Sequence, residues 1–169
     1  MAGKLVLIIA GTGQGKTTKV KKLIDGKKCM VFDVNGEYNE LPFDVEQDRS
    51  RFYNPDVREF LKVVPEKHQG TICVFEEATG FFAGAAQKET KKIIVGKRHP
   101  VDYGGRDLLF VFHTIGSVPP FLIETADYII LGKTADEPNR VKTKSSKLYG
   151  PFLRVQKYPK YQFMTIKNI

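Results

Sequence analysis

The stretch from Leu5 to Thr18, LVLIIAGTGQGKTT, constrains the fold more than any other part of the chain. Six apolar residues in succession have the length and β-branched content of a buried strand, and a run without polar alternation belongs in a parallel sheet covered on both faces. Three glycines in the next five positions let the backbone curl until successive N–H groups converge, and Lys16–Ile24, closing before Gly26, has helical spacing. Strand, glycine-rich loop, Gly-Lys-Thr and helix together make the pattern of a phosphate-binding loop, with Ala10 in the first position where glycine is more usual. Gly11, Thr12, Gly13, Gln14, Gly15, Lys16, Thr17 and Thr18 would hold the phosphates of a nucleoside triphosphate, expected to be ATP. Lys16 would reach β- and γ-phosphate oxygens and the Thr17 hydroxyl would ligate Mg²⁺. The positive end of the following helix favours the same anion.

Further apolar, β-branched runs at 28–33, 71–75, 108–112 and 128–131 predict four more strands, and helix-compatible stretches lie at 55–64 and 85–95. Alternation of this kind implies right-handed crossovers and an α/β fold with a mostly parallel sheet flanked by helices. Pro119-Pro120 opens a turn or short helix, and 155–158 with 161–166, split by Pro159-Lys160, predict a C-terminal β-hairpin. A chain of 169 residues builds one core, so a single domain is expected over 1–169. Within it, 1–137 forms the nucleotide-binding part and 138–169 a basic extension. Cys29 and Cys73 sit inside apolar runs without a CxxC partner and read as small core residues.

The chain carries 27 Lys and Arg against 19 Asp and Glu, and the whole excess of 8 falls after position 137, where no acid occurs. Arg140, Lys142, Lys144, Lys147 and Arg154 are therefore candidates for contact with a polyanion or an acidic protein, the alternative being a solvated basic face. The longest apolar runs span six to eight residues, short of the roughly 20 that cross a bilayer. Met1 leads directly into a strand-like run, not a cleavable leader. A soluble protein is expected, located in the cytoplasm (of the host, for a viral protein) or associated with a virion.

The apolar run at 71–75 ends in Glu76-Glu77, at the carboxyl end of a strand, where open α/β sheets place their ligands. Two successive acids point in different directions, so Glu76 is expected in the Mg²⁺ shell and Glu77 as the carboxylate that polarises an attacking water. This pair favours hydrolysis. A small-metabolite or nucleotide kinase is the alternative, but it needs an arginine-rich lid that the sequence lacks.

The second predicted strand runs into Asp33-Val34-Asn35-Gly36-Glu37-Tyr38, and an apolar strand followed by D-x-x-G-E-Y resembles the HerA/FtsK superfamily of ring-forming DNA-pumping ATPases. The order of landmarks agrees from about 4 to 135: phosphate loop, D-x-x-G-E-Y turn, Glu76-Glu77, basic Lys97-Arg98-His99, then 105–113 ending in His113, with Val118-Pro119 following. His113 stands where that family most often has Gln as a sensor. The resemblance implies a RecA-like P-loop NTPase of the additional-strand (ASCE) type, acting as a pentameric or hexameric homo-oligomeric ring. ATP and Mg²⁺ would lie between subunits, Arg98 or Arg106 would reach into the neighbour's site, and His113 with Asp33 or Glu37 would report the nucleotide state. DNA would be gripped by its phosphate backbone without regard to sequence. A core of this size, without an added barrel, membrane helix or winged domain, is similar to the genome-packaging ATPases of membrane-containing viruses and phages, which implies a capsid or membrane docking protein. The resemblance also admits a nucleotide-dependent assembly protein akin to the Zot-like filamentous-phage ATPases.

Overall fold

Buried, β-branched runs pair by their backbones once helices can cover them, and here they do so around a phosphate loop at one edge of the layer. The computed structural model describes residues 3–43, 49–53, 56–66, 70–96 and 106–168. The strands are β1 (Leu5–Ile9), β2 (Cys29–Asp33), β3 (Arg49–Tyr53), β4 (Ile72–Phe75), β5 (Asp107–Phe112), β6 (Tyr128–Leu131) and β7 (Met164–Lys167). The helices are α1 (Lys16–Ile24), α2 (Val57–Val63), α3 (Ala86–Gly96), α4 (Pro120–Thr125), α5 (Pro138–Lys144) and α6 (Ser146–Val155), with 3₁₀ turns at Val64–Glu66 and Ala78–Phe82. One sheet contains every described strand, in the order β3-β2-β4-β5-β1-β6-β7. All neighbours are parallel except β6 and β7.

Alternation along each strand splits the core into two layers. Leu5, Leu7 and Ile9 of β1 face the layer that also holds Phe32, Phe75 and Phe110 and is covered by α2, α3, α4, α5 and α6. Ile8, with Val31, Val74 and Val111, faces Val20 and Ile24 of α1. Phe60 and Phe81 meet Phe75 edge to face at 5.5 and 5.0 Å between centroids, and Phe75 stacks on Phe110 at 4.3 Å. Such pairs add about 0.5–1.5 kcal/mol each beyond area burial. They fix β4 and β5, whose ends carry the candidate chemistry. Cys29 and Cys73 are both buried and unbridged.

Besides α5 and α6, for which no helix was predicted, two parts of the fold depart from expectation. β3 was not foreseen: its RSRFY sequence is that of a half-covered edge strand, and it pairs with β2 from Cys29↔Arg49 to Asp33↔Tyr53. The predicted C-terminal hairpin does not form. Val155 ends α6, and 156–158 continue as turns, with the Tyr158 amide donating to the Val155 carbonyl at 3.1 Å. β7 instead takes its hydrogen bonds from β6, antiparallel, from Tyr128↔Lys167 to Leu131↔Met164. An open sheet edge offers more backbone partners than a two-stranded ribbon standing alone, which is marginal in water. No described helix is long and apolar enough to cross a membrane.

Candidate active site

The strand order inserts β5 between β1, which leads into the phosphate loop, and β4, which ends in the acidic pair. The carboxyl ends of these strands open on a cleft of about 550 Å³, lined by the phosphate loop, Glu37, Glu76, Glu77, His113 and Tyr161. The loop is tied to strands on both sides: the Ala10 amide donates to the Phe112 carbonyl at 3.1 Å and the Gly11 amide to the Lys133 carbonyl at 2.7 Å. Gly15 is the N-cap of α1 at φ 83°, a left-handed conformation that glycine adopts without strain, and no side chain caps the helix. The first amides of α1 and its positive end are therefore free to face an anion in the cleft.

Lys16 is only 8% exposed. Its ammonium donates to the Gly11 carbonyl at 3.1 Å and meets His113 Nδ1 at 3.1 Å. An ammonium has no lone pair to accept with, so Nδ1 accepts and a neutral His113 carries its proton on Nε2. That N–H faces Glu77 Oε1 at 2.7 Å. Glu77 itself has φ 49° and ψ 47°, which turns its carboxylate away from Glu76 and toward β5. Burial pushes the Lys16 ammonium below its ordinary pKa, while Glu76, Glu77 and Glu37 pull it back up. The result is an unbroken line from phosphate-binding lysine through imidazole to carboxylate, made possible by the central position of β5.

Glu76 is 7% exposed and accepts a hydrogen bond from the hydroxyl of fully buried Tyr38. Burial raises its carboxyl to about 7, although the Tyr38 hydrogen bond works in the other direction. Burial, followed by the neighbouring Glu76, also raises the Tyr38 phenol. Buried Asp33 orders the turn between them, accepting from the Glu37 amide at 3.0 Å and the Tyr38 amide at 3.2 Å. Glu37 is thereby aimed at α1, where its Oε2 accepts from Thr17 Oγ1 at 2.8 Å.

The described residues hold no group of three or more His, Cys, Asp or Glu able to cage a metal alone. What the cleft offers is a hydroxyl and buried carboxylate oxygens, Thr17 and Glu76 with Glu37 beside them. This all-oxygen, incomplete donor set fits Mg²⁺, which takes one or two protein oxygens and completes its octahedron with water and phosphate.

Of the residues singled out from sequence, Gly11–Thr18, Glu37, Glu76, Glu77 and His113 come together at this cleft, with buried Asp33 just behind. Arg106 does not. It is 2% exposed, precedes β5 at the amino end of that strand, opposite the cleft, and donates to the Pro65 carbonyl at 2.7 Å. An arginine that reaches into a neighbour must project from the surface, so Arg106 serves its own fold. Arg98 lies outside the described residues. Arg140, Lys142, Lys147 and Arg154 are exposed on α5 and α6, whereas Lys144 is partly buried and donates to the Gly116 carbonyl. The sequence reading gave no role to Asn35 and Tyr161, which line the cleft, or to Tyr38, buried behind Glu76. Tyr38 was visible as the last letter of D-x-x-G-E-Y; Tyr161 lies far from any motif and only the paired edge strand β7 brings it near.

No protein-family model matches the sequence, and no curated protein matches it. Among solved structures the chain is similar to B204, the DNA-packaging ATPase of Sulfolobus turreted icosahedral virus, with a TM-score of 0.81, 18% identity, and coverage of 99% of this chain and 94% of that one. It is similar also to the genome-packaging NTPase B204 of Sulfolobus turreted icosahedral virus 2 in complex with ATPγS, with a TM-score of 0.77, 16% identity, and coverage of 98% and 92%. The pCW3 conjugation coupling protein TcpA with ATPγS gives a TM-score of 0.59 at 15% identity, over 98% of this chain and 58% of that one. A seven-stranded, mostly parallel sheet with helices on both faces, shared over almost the whole chain with these nucleotide-binding proteins, gives this chain the RecA-like fold of the P-loop NTPases.

Proposed function

We propose that the chain is an ATP-hydrolysing DNA translocase of the genome-packaging kind, working as a homo-oligomeric ring of five or six subunits. The observation that carries the reading is the Lys16–His113–Glu77 line, at 3.1 and 2.7 Å, along the ends of three adjacent strands. It joins the cation that would hold the γ-phosphate to the carboxylate that would orient water. Phosphoryl transfer asks a protein mainly for positioning and charge stabilisation, which this line and the uncapped start of α1 supply.

Without nucleotide, Lys16 and Glu77 are both held by His113. A γ-phosphate in the loop competes for the Lys16 ammonium and draws it off Nδ1. The imidazole keeps its Nε2–H on Glu77 Oε1, and the other Glu77 oxygen accepts a hydrogen bond from water. Water oxygen bonds to the γ-phosphorus as the bond to the bridging oxygen breaks, its proton passing by way of Glu77 to the released phosphate. Thr17 and Glu76 are the residues that would hold Mg²⁺, which when bound neutralises charge between the β- and γ-phosphates. Arg98 of a neighbouring subunit is the proposed trans-acting arginine.

The similarity to B204, a DNA-packaging ATPase, supports DNA as the track. So does the exposed set Arg140, Lys142, Lys147 and Arg154, since contacts to phosphate oxygens carry no sequence information and suit a sequence-independent pump. A capsid or membrane docking protein would recruit the ring.

Steady-state ATP hydrolysis at low salt, with and without long double-stranded DNA, tests the reading on wild type, Glu77→Gln and Lys16→Ala. DNA stimulation of wild type with loss of turnover in both variants is expected. Phosphoryl transfer to a small acceptor, or tight ATP binding without turnover in the presence of DNA, would overturn it in favour of a kinase or an assembly protein.

A further inference from the structure

Beside the phosphate cleft, and sharing Gly15, Thr18 and Tyr161 with it, lies a second cleft of about 410 Å³. Its other walls are Lys19 and Lys22 of α1 and Phe163. That volume falls within the roughly 300–1,000 Å³ of small-molecule sites. Tyr161 is 62% exposed, a large aromatic left in solvent next to an anion site. Its backbone is at φ 68°, a region costly for a bulky side chain, and strain of this kind persists where the surroundings impose it and tends to collect at ligand sites. The ring is seated against the phosphate loop: a Cβ added to Gly15 would stand 3.0 Å from Tyr161 Cδ1. Phe163 is seated as firmly, since a Cβ on Gly132 would meet its Cε1 at 2.9 Å.

Resting on the reading of the loop as a nucleoside-triphosphate site, we propose that this cleft is the nucleobase subsite and that Tyr161 is the platform on which the base stacks. The walls decide the selectivity. Two aromatic rings and two lysine stems offer flat and apolar surface; among the described lining residues none is a carboxylate or carboxamide, and the polar ends that could reach a purine edge belong to exposed Thr18 and Lys22 and half-exposed Lys19. Every base has a π-face, so stacking tolerates any of them, whereas strong discrimination needs buried groups that are left unpaired by the wrong ligand. The site therefore takes purine nucleoside triphosphates without choosing between adenine and guanine.

Calorimetric titration of the full chain with ATP, GTP and inorganic triphosphate, in Mg²⁺, tests this on wild type, Tyr161→Ala and Tyr161→Phe. Wild type is expected to bind ATP and GTP within about threefold of each other, because both stack alike. Tyr161→Ala is expected to weaken both by about 5- to 150-fold and to leave triphosphate unchanged, while Tyr161→Phe stays close to wild type. Equal ATP affinity in Tyr161→Ala, loss of triphosphate binding in that variant, or a hundredfold preference for one purine would overturn the proposal. Triphosphate bound as tightly as ATP by wild type would overturn the base subsite alone. Failure of ATP and triphosphate together would overturn the phosphate-loop reading and the subsite with it.

Discussion

Replacing Glu76 with Gln should change how stability depends on pH, in a direction fixed by where the carboxyl is buried. Glu76 faces the Tyr38 hydroxyl, Glu37, Lys16 and Glu77, and its burial raises the carboxyl from the ordinary 4.5 to about 7. The folded chain then binds this proton more tightly than the unfolded chain, so the stabilisation from protonated Glu76 is fully present below 4.5 and is lost as pH rises through about 7. A rise of that size corresponds to about 3 kcal/mol, or roughly 6–12 °C in Tm for a chain of this length. The assay is denaturant unfolding of wild type and Glu76→Gln from pH 4.5 to 8, without nucleotide or divalent cation. Subtracting the two curves cancels the other titrating groups. Wild type should lose on the order of 3 kcal/mol relative to the variant across this window. Parallel curves would refute the reasoning, showing that the carboxylate is already ionised at the low end despite its burial. A bound cation would reverse the balance, because it needs the ionised oxygen; Mg²⁺ with nucleotide should release a proton on binding near pH 6, read by calorimetry in two buffers.

His113 should matter for turnover more than for binding. His113→Ala is expected to lower kcat by about tenfold to a hundredfold, with ATP affinity changed less than about threefold, because it removes the positioning of Glu77 and leaves the loop. His113→Gln should recover much of that rate, since its amide can donate to Glu77 while its carbonyl accepts from Lys16; equal loss in both variants would refute the positioning role of His113. Far from the chemistry, Arg49 donates to the carbonyls of Pro42, Ile24 and Lys27 at 2.9, 3.2 and 2.5 Å. Arg49→Met should cost about 3 kcal/mol, a Tm drop of roughly 6–12 °C by scanning calorimetry, by abandoning these buried acceptors; a change below about 1 kcal/mol would contradict that role.

What was legible in the sequence was whatever rests on local periodicity: the strand before Gly11, the helix after Gly15, and the apolar run that delivers Glu76 and Glu77 to a strand end. β3 was invisible because an edge strand need bury only part of its length, and RSRFY alternates too weakly to separate from a loop. α5 and α6 were missed because 138–154 was read only for its charge; Pro138 opens α5, where its missing amide costs nothing, and the apolar face of Leu148, Phe152 and Val155 carries α6 through Pro151. The site was legible residue by residue but not as an arrangement. Nothing local in the sequence places β5 between β1 and β4, and that placement alone puts His113 between Lys16 and Glu77. Tyr38 against Glu76 is likewise a contact between positions 38 residues apart.

The segment 132–136 touches three parts of the molecule at once. The Lys133 carbonyl holds the phosphate loop, the Thr134 carbonyl accepts from Gln156 at the end of α6 at 3.0 Å, and Asp136 caps the amides of Ile115 and Gly116 beyond β5 at 2.7 and 2.9 Å. Five residues thus join the phosphate loop, the end of α6 and the turn beyond β5 through backbone and side-chain hydrogen bonds. A substitution within 132–136 would therefore disturb the phosphate loop, the end of α6 and the turn beyond β5 together.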